Sequence, residues 1–207
     1  MDIMRSLTDR LTWALSATTV LSSLAGGQAS ASGKALPVAA QITAAVLPLP
    51  AEMRASATVL GYNNSSTLSV LRKGSNGMTC LAPDPKRPTF HVACYHDSME
   101  PFMLRGRQLR AAGTKEDSVD VIRFAEAKAG KIVMPKLPAS LYSLTGPWES
   151  VDQATGTASS ARRLFVVYVP YATAESTGLS TQPKASEPWL MFAGTPKAHI
   201  MFVASMQ

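Results

Sequence analysis

Three histidines, His91, His96 and His199, are the side chains of this chain that titrate near neutrality without help from their surroundings. His96 follows Cys94 by two residues in a stretch of alternating character, so the two face one side of a strand while His91 faces the other. Glu100 comes four residues after His96, with Asp97 between them. If the strand carrying His199 runs beside this one, His96, Glu100 and His199 form two imidazoles and one carboxylate, a donor set for a divalent metal. The plainer reading gives hydrogen-bonded histidines and a helix-capping Glu100. Asp97, Glu100, Glu149 and Asp152 could supply the paired carboxylates of glycoside hydrolysis, but with twelve acidic residues after position 31 some pairing is inevitable.

Other catalytic chemistry finds less support. The chain has no Gly-x-Ser-x-Gly elbow, no Ser-x-x-Lys set and no His-Glu-x-x-His helix. Lys73-Gly-Ser-Asn-Gly77 has the glycines of a phosphate loop, but no helix starts directly after it, so no cofactor-binding residue is assigned. A Cys94/His96 thiol pair would need Cys94 to be free. Trp148 and Trp189 could stack on a sugar or a peptide, with core or rim packing as the ordinary alternative.

The elements that must position these residues begin with Thr67–Arg72, whose alternation predicts a half-buried strand, and Lys73–Gly77, whose glycines and asparagine suit a tight turn. Met78–Ala82 then reads as a returning strand. Pro83-Asp-Pro-Lys-Arg-Pro88 must be a loop, because proline fixes φ and donates no hydrogen bond, and Thr89–His96 resumes the sheet. This places Cys80 and Cys94 on neighbouring antiparallel strands, within reach of a disulfide. Closing a loop of about 15 residues restricts the unfolded chain by roughly 3 kcal/mol in the entropy model.

Asp97-Ser-Met-Glu100 has the form of a capping box, and Pro101 suits a first helical turn. Met99, Phe102, Met103, Gly106 and Leu109 fall on one face of the helix that follows, which ends at Gly113. Gly106 on that stripe suggests a close packing approach. Arg105, Arg107 and Arg110 lie off it, on a solvated or anion-binding face. A second helix is expected over Val119–Ala129, capped by Ser118.

Lys131–Met134 and Leu141–Leu144 are short strand candidates, and Gly146–Ser160 reads as a surface loop carrying Trp148. Arg163–Val169 is the strongest strand, apolar on both faces and therefore expected to be central. Trp189–Ala193 and Ala198–Ala204 close the chain as a strand pair. Upstream, Val38–Leu49 could form a short helix, Met53–Leu60 a first strand and Gly61–Ser66 a turn. The sum is α+β: a mainly antiparallel sheet with two helices inserted after a disulfide-linked hairpin.

At the amino terminus, Arg5 and Arg10 precede the short uncharged run Leu11–Leu24 and the small residues Ala29-Ser-Ala31. That is the pattern of a secretory signal peptide over residues 1–31, too short in its apolar part for a transmembrane helix. Residues 32–50 read as a flexible segment and 51–207 as a single domain. The formal net charge of +6 falls entirely after residue 31, since the first 31 carry two basic and two acidic residues. Such a balance favours anionic partners, yet no Lys/Arg block interleaves with aromatics, which argues against nucleic acid.

The runs Leu71-Arg-Lys-Gly-Ser-Asn-Gly-Met-Thr-Cys80 and Gly194-Thr-Pro-Lys-Ala-His-Ile-Met201, with a second cysteine after a proline loop, resemble a group of uncharacterised secreted bacterial proteins. The resemblance implies export and paired cysteines. It implies no activity. The reading from sequence is thus a periplasmic or secreted binding module, without a transmembrane anchor, whose partner is an anionic envelope polymer or another envelope protein. A metal-dependent enzyme using His96, Glu100 and His199 is the alternative, and a purely structural envelope component a third.

Overall fold

The computed structural model describes residues 34–63, 67–184 and 187–202. The expected signal peptide and the turn residues Asn64–Ser66 lie outside these, as do Ser32, Gly33 and the last five residues.

Eight strands form one sheet in the order β2-β1-β3-β4-β5-β6-β8-β7. They are β1 (Thr58–Tyr62), β2 (Leu68–Arg72), β3 (Met78–Leu81), β4 (Phe90–His96), β5 (Ala139–Gly146), β6 (Arg162–Tyr168), β7 (Trp189–Met191) and β8 (His199–Phe202). Every pairing is antiparallel except β1 with β3. The α+β class with a mainly antiparallel sheet is therefore correct. Cys80 and Cys94 stand directly opposite each other on β3 and β4 and form the expected disulfide.

The hairpin expected between Thr67–Arg72 and Met78–Ala82 is not formed. β1 lies between β2 and β3, so Lys73–Gly77 crosses the chain that leads into β1 instead of making a two-strand turn. Ser75 and Asn76 donate their amides to the Ser56 carbonyl at 2.8 and 3.2 Å, and Gly74 donates to Thr58 Oγ1 at 3.0 Å. A Cβ on Gly74 would sit 2.2 to 2.3 Å from backbone atoms of Ser56, Ala57 and Thr58. The glycine serves a close crossing.

Helix α1 (Val38–Val46) and the short α2 (Ala51–Arg54) pack on one sheet face. Residues 32–50, expected to be flexible, thus include part of the core: Ala44, Ala45 and Leu49 are fully buried. Alanine spacing explains the revision, because Ala40, Ala44 and Ala45 share a face and let the helix lie close on Val92, Cys80 and Cys94. Gln41, 1 % exposed, clamps this helix to β1 by accepting from the Tyr62 amide and donating to the Tyr62 carbonyl, both at 2.7 Å. Arg54 and Asn76 tie α2 in through backbone carbonyls.

The opposite face carries α3 (Glu100–Ala111) and α4 (Glu116–Lys128), over a cluster of Tyr95, Met99, Phe102, Ala127, Ile132, Ala139 and Tyr168. The expected apolar stripe of α3 is realised. Gly106 leaves room for Arg123 of α4, whose guanidinium would meet an added Cβ at 2.8 Å and lies 4.0 Å from the Phe102 ring centroid. α4 begins three residues earlier than expected, with Lys115 rather than Ser118 at the cap position. Lys131–Met134 is not a strand, whereas β5 extends on both sides of Leu141–Leu144. Met53–Leu60 splits into the end of α2 and the start of β1. Trp148 is buried, edge-on to Phe90, with its indole N–H donated to the Arg87 carbonyl at 2.9 Å. A short helix α5 (Ala174–Thr177), capped by Thr173, lies in the loop between β6 and β7.

Candidate functional site

The three proposed metal ligands are not brought together. β5 and β6 separate His96 on β4 from His199 on β8, which is three strand spacings or about 14 Å. Moreover, directly opposed partners share a face, so His96 belongs to the α1 side and His199 to the α3/α4 side. His96 is exposed and its Nδ1 accepts from the Ser98 amide at the start of the turn Asp97–Met99. Glu100 does not close a capping box. Its carboxylate accepts from Tyr95 Oη at 2.5 Å and from Arg107 at 2.6 Å, and Arg107 also donates to Tyr95 Oη at 2.7 Å. Asp97 accepts from Thr79 Oγ1 at 2.5 Å, tying the turn to β3. His199 is 6 % exposed, donates Nδ1–H to the Lys197 carbonyl at 2.7 Å, and lies beside the rings of Tyr168 and Phe192. Burial holds its pKa below the ordinary histidine value. Among the described residues, no three His, Cys, Asp or Glu side chains gather closely enough to hold a metal ion.

The remaining candidates also have structural partners. Asp152 turns its carboxylate onto the amides of Ala154 and Thr155, which lower its pKa. Glu149 stands on the exposed side of the turn Trp148–Ser150. Trp189 is buried, so neither tryptophan offers a ring to solvent. The three arginines of α3 form no open anionic-ligand face: Arg105 pairs with Glu126, Arg107 with Glu100 and Arg110 with Glu116.

A different surface stands out on the α1 side of the sheet. Along β6, Leu164, Val166 and Tyr168 point toward α3 and α4, while Arg163, Phe165 and Val167 point the other way. Val169 keeps that alternation, because its amide continues the ladder to the Ala198 carbonyl at 2.9 Å. α1 lies over β1, β3 and β4; on β6 and β8, two and three strands beyond β4, none of Phe165, Val167, Ile200 and Phe202 joins a buried cluster among the described residues. Phe165, Val167 and Ile200 are half-buried, and Phe202 is 38 % exposed. β6 is interior to the sheet, as expected, but only one of its two apolar faces packs into a buried cluster.

Register aligns these residues across the sheet. Tyr142 opposes Phe165 and Phe165 opposes Phe202, giving an aromatic row with centroid spacings of 4.7 and 5.6 Å. Val167 opposes Ile200 one step further. Beyond Val169 the strip opens into a cavity of about 370 Å³ lined by residues 135–138, 169–172 and Ser176. Leu137 and Tyr171 on its wall are 77 % and 46 % exposed. Tyr171 has φ of 65°, a left-handed conformation that costs a bulky residue of order 1–3 kcal/mol. It is held there by its amide bond to the Thr195 carbonyl at 2.8 Å, next to the Gly194 bond to Ala172 at 2.7 Å.

The outcome is an apolar trough from Phe165 to Val169, roughly 13 Å at the strand rise of about 3.3 Å per residue, that leads to the cavity beside Tyr171. A cation stands at each end: Arg163, which also caps the Leu47 and Pro48 carbonyls beyond α1, and Lys136 at the cavity. Among the described residues, no acidic side chain lines the cavity. Sequence reasoning missed this surface because a strand that is apolar on both faces looks the same whether the second face is roofed by a helix or kept for a partner. The available signal was the order of helices in the chain, with α1 and α2 before β1 and α3 and α4 between β4 and β5.

Comparison with protein families, curated proteins and solved structures returns no match to this chain. Among the described residues no helix is long and apolar enough to cross a membrane.

Proposed function

We propose that the chain is an exported binding module that takes an acidic, amphipathic segment of another envelope protein into the trough along β6. The observation that carries this reading is the apolar strip of Phe165, Val167, Ile200 and Phe202, with cations at its ends and, among the described residues, no carboxylate lining the cavity. Apolar side chains of such a segment would displace water from the strip, at about 25 cal/mol per Å² buried, and its carboxylates would meet Arg163 and Lys136. The six-unit positive excess of the chain after residue 31 steers the same class of partner toward it. Export is supported by the Cys80–Cys94 bridge, which persists in oxidising compartments, by the leader pattern of residues 1–31 and by the resemblance to secreted proteins.

A fluorescent 14-residue helix of alternating Leu and Glu faces, titrated by anisotropy against the oxidised chain, tests the reading. Saturable binding is expected, weakened at least tenfold by Val167→Glu and severalfold by Lys136→Glu, with melting temperatures recorded for both variants. Lys136 is a surface residue, so its variant keeps the test meaningful if Val167→Glu folds poorly. Unchanged affinity in Lys136→Glu together with a well-folded Val167→Glu would reject the trough. Binding of anionic vesicles in place of the peptide would move the partner class from protein to lipid and overturn the reading as stated.

A further inference from the structure

The other face of the sheet carries a second arrangement that neither the trough nor the core accounts for. His91 on β4 opposes Thr145 on β5, and Thr145 opposes Arg162 on β6, so the three side chains make one row on the α3/α4 side. His91 Nδ1 lies 2.8 Å from Thr145 Oγ1. Arg87 stands beside this row, close enough that its charge adds to burial in lowering the His91 pKa to about 4. Its backbone is fixed, since its carbonyl accepts from buried Trp148 at 2.9 Å and its amide donates to the Asp84 carbonyl at 3.1 Å. Pro85 and Pro88 stiffen the same loop. Six ion pairs are formed among the described residues, and neither Arg87 nor Arg162 takes part in one. One cation thus stands on a rigid loop near His91 and another on β6 across Thr145 from it, and among the described residues no carboxylate forms an ion pair with either.

We propose that Arg87, His91, Thr145 and Arg162 form a binding site for an oxyanion, a carboxylate, sulfate or phosphate group. In the tautomer this site requires, Thr145 donates its hydroxyl proton to His91 Nδ1 and the neutral ring carries its proton on Nε2, from which it donates outward. The two guanidinium groups supply charge-assisted donors from either side, and a guanidinium matches the planar or tetrahedral oxygens of such groups in bidentate fashion. The site is independent of the trough, which occupies the opposite face.

The test uses the purified oxidised chain with its histidine rings observed by ¹⁵N NMR at pH 7. Sodium sulfate is titrated against sodium chloride at matched ionic strength. A saturable shift of the His91 ring is expected with sulfate and not with chloride, while His96 and His199 stay still. Arg87→Gln and Arg162→Gln should each weaken sulfate by about tenfold, the loss of one charge-assisted hydrogen bond. Competition for the same shift by a galacturonate oligomer would assign the oxyanion to a polymer carboxylate. Equal shifts with sulfate and chloride, or sulfate binding indifferent to both arginine substitutions, would overturn the proposal.

Discussion

His91 carries a pH dependence whose sign follows from its burial. Desolvation, then the charge of Arg87, lowers its folded pKa to about 4, against roughly 6.5 in an unfolded chain. Above pH 6.5 the ring is neutral in both states and adds no slope. As pH falls from 6.5 to 4 the unfolded chain takes up a proton that the native one refuses, so stability declines, and below 4 this contribution levels off. The lowered pKa of buried His199 acts with the same sign. Urea midpoints at pH 7 and pH 4.5 should therefore lie closer together in His91→Gln than in the unaltered chain; an equal separation would refute the buried neutral ring. At this scale the cysteines were legible in the sequence because alternation and a proline loop fix their register. The His96, Glu100 and His199 set was not, because strand adjacency depends on pairings between residues about a hundred positions apart. The same gap hid the His91–Thr145–Arg162 row, which exists only once β4, β5 and β6 are side by side.

Among the elements, the crossing of Lys73–Gly77 over the chain entering β1 is an intolerant join. Gly74 has backbone of Ser56, Ala57 and Thr58 where a Cβ would stand, and backbone cannot swing aside as a side chain can. Gly74→Ala should cost about 3 kcal/mol, the upper end of overpacking penalties, read as a drop in urea midpoint. In a simple hairpin the same substitution would cost no more than the loss of a favoured turn residue, so a change below about 1 kcal/mol would contradict the crossing. Turn chemistry was read correctly from the sequence and its topology was not. Gly, Ser and Asn announce a change of direction, but they do not say whether another strand passes beneath. α3 was the opposite case: the stripe through Phe102, Gly106 and Leu109 named its buried face, and even the close approach at Gly106 was visible as a missing side chain. α1 was undervalued because its alanines look like weak core residues, although their small size is what allows the helix to sit against Cys80 and Cys94.

For the whole molecule, the bridge and the part of the sheet beyond the described helices carry the remaining predictions. The disulfide joins β3 to β4 beneath α1, where Cys94 Sγ lies 3.1 Å from the Ala45 carbonyl oxygen. Replacing both cysteines by alanine should lower stability by roughly 2–4 kcal/mol and leave the sheet formed, as seen by a reduced melting temperature with unchanged far-ultraviolet circular dichroism. Loss of the folded state altogether would show that the bridge specifies the fold rather than stapling it. Fold class could be read from the order of strand and helix signals. Which part of the sheet stays open could not, since it is set by the number of helices available to cover about 34 Å of sheet width, seven spacings of about 4.8 Å.

The central claim, that a partner lies in the trough along β6, is tested most directly by methyl NMR of the chain with the acidic amphipathic helix added. Val166 and Val167 are adjacent in sequence but face opposite sides of the sheet, and so do Met201 and Ile200. The account predicts shifts at Val167, Val169 and Ile200 with Val166 and Met201 nearly unchanged. Shifts confined to Val166 and Met201, or no methyl shift under conditions where the helix binds, would contradict it.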